Sequence, residues 1–140
     1  MDLSGNLDNS RLTRGFTVCV GGGATQWGSC LQLYISLSST ESEYTTMLKV
    51  SCEIAWMQYL FEELGYNTSH PSPLPVDNKS AIQVAKNPEH QLMMKHVHCT
   101  YHWMCDQVEQ GQIMVSHIPG DENPTNIFTK PLAKPKFTKF

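Results

Sequence analysis

Ser38-Ser39-Thr40-Glu41-Ser42-Glu43-Tyr44 opens a stretch that runs to Leu64, and its reading decides the fold. Met47, Val50, Ile54, Met57, Phe61 and Leu64 recur at three- and four-residue steps, and Tyr44, Leu48, Ala55 and Tyr59 widen the stripe. That is the period of a helix with one apolar face. Two capping boxes are open at its start, Ser38 with Glu41 and Thr40 with Glu43. Gly65 is a natural stop.

The segments on either side read as strands. Residues 15–21 alternate apolar and small side chains, and Gly21-Gly22-Gly23 supplies the positive φ of a hairpin turn. A second strand follows around Thr25–Ile35, with Trp27, Leu31, Leu33 and Ile35 on one face. Downstream, His70–Pro75 is a proline-punctuated linker, and Leu74–Val76 is a short strand ended by Asp77-Asn78. Lys79–Lys86 reads as a helix stopped by Asn87-Pro88, and residues 92–109 as a second long helix. Ile113–Ile118 alternates into a last strand, and Asn123–Phe128 opens a last helix with Pro124 in its first turn. A hairpin followed by alternating helices and strands gives the α/β class, with a mixed sheet flanked by helices. The polar segment 1–14 and the basic tail 130–140 bound one domain over residues 1–140.

Composition narrows the function classes. Ten Lys and Arg against 13 Asp and Glu leave a net charge of −3, unlike a dedicated electrostatic binder of nucleic acid. Charged residues are 16% and hydrophobic ones 40%, which excludes disorder and gives no membrane span. Five cysteines without a C-x-x-C pair read as reduced thiols, and the N-terminus carries no secretory signal, so the expectation is an intracellular protein. His96, His98 and His102 near Cys99 and Cys105 fit no closed zinc site.

Three segments carry a resemblance. They are Leu37–Tyr44; Val76-Asp77-Asn78-Lys79-Ser80-Ala81-Ile82 with Ala85-Lys86-Asn87-Pro88; and Lys95-His96-Val97 with Tyr101-His102, leading to Asn126-Ile127-Phe128-Thr129-Lys130-Pro131-Leu132 and Pro135-Lys136-Phe137. In this order and spacing the chain resembles the C-terminal ribonuclease H domain of Ty1/copia-type retrotransposon polyproteins, from about Asp2 to Phe140. The resemblance implies hydrolysis of RNA in RNA–DNA hybrids. It also implies a five-stranded sheet of order 3-2-1-4-5 and two Mg²⁺ (or Mn²⁺) ions held by four acids. Two such ions clamp the attacking and leaving oxygens of an in-line displacement. Mg²⁺ takes oxygen ligands, hence carboxylates.

Carried over singly, the helix glutamate falls on Glu43 and the strand-end acid on Asp77. Each also has a plain structural reading, Glu43 as a capping-box glutamate and Asp77 as a strand-ending turn. The family's first aspartate has no counterpart. Asp2 fits the neighbouring aspartate of that motif rather than the metal ligand. The last aspartate falls on Asn126, a neutral and poorer Mg²⁺ ligand. Asp121 and Asp2 are the acids placed to substitute, giving Glu43, Asp77, Asp121 and Asp2 as the candidate metal set. At an effective dielectric of ~20, each lost carboxylate–cation contact costs several kcal/mol. The resemblance therefore predicts weak or absent nuclease activity. The alternative is a non-enzymatic module that reuses the fold to bind nucleic acid or a protein partner. Lys79, Lys86, Lys95 and Lys130 are the candidate contacts to a nucleic-acid backbone. His117 precedes Pro119-Gly120, near where related nucleases carry a mobile histidine, and also reads as an exposed strand residue. With the family's first strand lacking, or improvised from residues 1–14, the hairpin and the later strands keep open edges. Such edges predict self-association.

Overall fold

A computed structural model describes residues 13–31, 39–68, 71–87, 98–129 and 131–138. Strands β1 (Thr13–Val20) and β2 (Gly23–Leu31) form the hairpin. Gly21 and Gly22 make its two-residue turn at φ of 60° and 84°, where a Cβ would be strained. Helix α1 (Ser39–Glu63) follows, then β3 (Ser72–Val76) and α2 (Lys79–Lys86). Next come α3 (His98–Glu109), β4 (Ile113–His117), a 3₁₀ turn at Gly120–Glu122, α4 (Asn126–Thr129) and α5 (Lys134–Phe137).

The described strands make two separate two-stranded sheets, β1 antiparallel to β2 and β3 parallel to β4. The chain is thus mixed α/β. Leu74, Val76, Ile113 and Val115 of the parallel pair are buried with Tyr44, Met47, Leu48, Val50 and Ile54 of α1. Ala81, Ile82, Val84 and Ala85 of α2 and Met104 of α3 complete the core. The Ser51 hydroxyl, also buried, donates to the Met104 sulfur at 2.9 Å and joins α1 to α3. The hairpin adds Phe16, whose ring lies over its cross-strand partner Gly28. A Cβ on Gly28 would come within 2.6 Å of that ring, so only glycine fits there.

Several expectations are corrected. β1 begins at Thr13, so Thr13 and Arg14 belong to the strand and not to a polar loop; residues 1–12 lie outside the described residues. β2 starts at Gly23, and residues 32–35 lie outside the described residues. Its odd-numbered face is the solvent face, with Trp27 at 61% exposure, because the even face carries Gly28 under Phe16. β3 starts two residues earlier than Leu74 and runs through Pro73. The stripe of α1 is buried only as far as Ile54, and Tyr59 and Leu64 are exposed. Beyond Ile54 the helix still meets the parallel sheet, since Gln58 Nε2 donates to the Ser72 hydroxyl and the Gln112 carbonyl at 3.0 Å, but Met57 and Phe61 line a cleft of about 540 Å³ between β1 and β3 instead of joining the core. α4 is a single turn that starts at Asn126, with Pro124 in the preceding turn. Residues 92–97 of the expected second long helix lie outside the described residues. No helix among the described residues is long and apolar enough to cross a membrane.

Candidate functional site

Three local features bring distant residues to one recess. α1 begins at Ser39, which puts Thr40 inside the helix and leaves Glu43 without a capping-box role. Asp77 follows the last residue of β3, at the strand's C-terminal end, where open α/β sheets gather ligands. The chain is then turned into α2 by Asn78, whose Oδ1 accepts from the Ser80 and Ala81 backbone N–H groups at 3.0 and 3.1 Å. Asn123 holds the third approach. Its Oδ1 accepts from the Thr125 backbone N–H at 3.1 Å and hydroxyl at 2.7 Å, an Asx turn that starts α4 at Asn126.

Glu43, Asp77 and Asn126 line one small polar recess of about 50 Å³, with Arg14 among the other lining residues. Burial raises the Glu43 carboxyl from its usual 4.5 to about 7, and the negative charge of Asp77 adds to the rise. Asn126 is buried, and its amide Nδ2 donates to the Gly120 carbonyl. A carboxylate could not make that bond. Gly120 also passes close to Asp77, since a Cβ there would lie 3.7 Å from Asp77 Oδ2.

The other candidates are placed elsewhere. Asp121 does not line the recess, and its carboxylate pairs with Lys136 of α5 on the surface. The 3₁₀ turn leaves its side chain 82% exposed. Lys79 and Lys86 stand exposed at the two ends of α2 and do not line the recess. Asp2, Lys95 and Lys130 lie outside the described residues. His117 is exposed at the end of β4. Cys105 is buried beneath α2 while His102 is exposed; His96 and the side chains of His98 and Cys99 lie outside the described residues.

Arg14 is the residue that pattern reading missed. It lines the recess, and its Nε is buried without a hydrogen-bond partner. A polar strand start looks like a loop when only hydrophobic alternation is read. The recess is thus lined by two carboxylates, the amides of Asn123 and Asn126, threonine hydroxyls and a guanidinium. Among the described residues no group of three or more His, Cys, Asp or Glu could hold a metal. Among the described residues the recess supplies two carboxylates, fewer than the four acids that the resemblance implies for a pair of Mg²⁺ ions.

Comparison with known proteins gives the context. The chain is 32% identical over 136 residues to the retrovirus-related Pol polyprotein from transposon TNT 1-94 of Nicotiana tabacum. It is 34% and 32% identical over 139 residues to those from transposons RE2 and RE1 of Arabidopsis thaliana. These matches cover 97–99% of this chain. Its homologues are retrovirus-related Pol polyproteins. The chain spans about a tenth of the length of these relatives. No family model matches the chain, and no solved structure matches it.

Proposed function

We propose that this region is a ribonuclease H-like domain of a copia-type retrotransposon polyprotein whose hydrolytic site has decayed. The observation that carries the reading is the convergence of Glu43, Asp77 and Asn126. They lie 34 and 49 residues apart in sequence (77 − 43 and 126 − 77) and line one recess. They are also the positions that the resemblance assigns to acidic ligands. With Asn126 neutral and Arg14 alongside, the ancestral hydrolysis of RNA in RNA–DNA hybrids is weak or absent.

A second reading rests on Arg14. Its unpartnered, buried Nε in the recess supports a module that grips a nucleic-acid phosphate without cleaving it. A labelled RNA–DNA hybrid, incubated with the pure protein in Mg²⁺ and then Mn²⁺, tests both readings. We expect little or no cleavage by the native chain, and more by Asn126→Asp. Robust cleavage by the native chain that disappears in Asp77→Asn would sink the decayed-site reading. Hybrid binding at low salt that weakens in Arg14→Met supports the binding module, and no binding removes it.

A further inference from the structure

The outer face of α1 carries a stripe that the core does not use. Lys49, Trp56 and Glu63 follow one another at seven-residue steps, which keeps them on one line of the helix, and Cys52, Tyr59 and Leu60 lie beside that line. All of these residues are exposed, with Trp56 at 58%, Tyr59 at 64% and Leu60 at 37%. The opposite face of the same helix is the buried one, through Met47, Val50 and Ile54. Packed contacts hold both flanks of the stripe. On one side Gln26 of the hairpin bonds Glu53, and on the other the Ser51 hydroxyl reaches Met104 of α3. The stripe is therefore a surface of fixed shape, about 21 Å long from Lys49 to Glu63. Neighbouring tryptophan, tyrosine and leucine side chains on such a surface mark a protein–protein contact.

The charges at its two ends specify the partner. Lys49 and Glu63 stand equally far from Trp56 and are opposite in sign. Among the described residues neither forms an ion pair within its own chain, and Lys49 Nζ lies over the Phe16 ring at 5.4 Å. A two-fold axis through Trp56 lays the stripe on a second stripe running the other way. Lys49 of each chain then comes opposite Glu63 of the partner subunit. Cys52 and Leu60, four residues either side of Trp56, meet in the same crossed manner. A parallel arrangement would instead set lysine on lysine and glutamate on glutamate. The surface is thus complementary to itself in one direction only, which is the requirement of a two-fold contact.

We propose that two copies of this chain associate through α1, antiparallel about Trp56. Trp56, Tyr59 and Leu60 form the apolar centre, and two Lys49–Glu63 pairs close the ends. The aromatic centre supplies the affinity, and the end charges fix direction and register. This surface is separate from the polar recess, and the proposal does not rest on the nuclease reading.

Sedimentation equilibrium of the full chain in reducing buffer reads the mass directly. A monomer–dimer equilibrium that shifts with concentration is expected. Trp56→Ser should weaken it about 30-fold. Lys49→Glu and Glu63→Lys each place like charges at both ends, and each should weaken it about tenfold. Mixed with one another, these two variants are complementary, and the mixture should regain most of the native affinity. Three results would each overturn the proposal. One is a monomer at every concentration. Another is a dimer unmoved by Trp56→Ser, which puts the contact on a different surface such as a strand edge. The third is a mixture of the two charge variants that associates no better than either alone. If Trp56→Ser fails to fold, the charge variants still decide.

Discussion

The two small sheets use opposite strategies. The parallel pair β3–β4 is held almost wholly by burial: Leu74, Val76, Ile113 and Val115 lie in the core among α1, α2 and α3. The hairpin β1–β2 is held mainly by its own ladder and by a few anchors. These are Phe16 over Gly28, the Ser29 hydroxyl on the Phe128 carbonyl at 2.6 Å, and Gln26 Nε2 on Glu53 Oε2 at 2.9 Å. One half of the molecule is therefore sensitive to lost volume, and the other tolerates it. The candidate recess lies where the two halves meet, since Arg14 comes from the hairpin and Asp77 from the end of β3.

The sharpest way to break this contrast is Ile113→Ala. Ile113 is 1% exposed, and its truncation should cost roughly 2–5 kcal/mol by chemical denaturation. A cost below ~1 kcal/mol would show that the parallel pair is not the keystone.

Glu43 gives the next largest effect, through pH. Its carboxyl titrates near 7 in the fold and near 4.5 unfolded, so the folded state holds the proton more tightly between those values. Stability should fall as pH rises from about 4.5 to 7 and then level off, by at most roughly 3 kcal/mol. Glu43→Gln should flatten that slope, and an unchanged slope means that another group is responsible.

Asn126→Asp comes third. It removes the donor to Gly120 and adds a charge beside Asp77, so about 1–3 kcal/mol should be lost at pH 8. Mn²⁺ should recover part of the loss if the recess can then hold a cation, and melting curves with and without Mn²⁺ decide. The smallest effect is Trp27→Ser on the exposed face of β2, expected within ~0.5 kcal/mol. A larger loss would mean that this face is covered in solution.

Much of this arrangement was legible in the residues. The glycines of the hairpin turn, the long apolar period of α1 and the Asp77-Asn78 strand end each combine local chemistry with position, and each is realised. What stayed hidden has physical causes. Alternation in β2 reveals two faces but not which is inward, and the deciding contact, Phe16 on Gly28, joins residues 12 positions apart (28 − 16). The period of α1 continues past Ile54, yet its later members Met57 and Phe61 line a cleft rather than the packed core. Arg14 escaped because a strand that borders a polar recess starts with polar residues. The fate of Asp121 was set by Lys136, 15 residues away on a separate turn.

The register of the hairpin shifts between Val18 and Cys19, a β-bulge on the strand that walls the large cleft. A bulge bends its strand and increases the local twist. At the other end of β1, Gly15 is pressed by α4, where a Cβ would sit 2.8 Å from Phe128 Cβ. The lining of the cleft thus passes from the carboxylates of Glu43 and Asp77 to the apolar side chains of Met57 and Phe61, so one wall of the fold joins a charged corner to a greasy one.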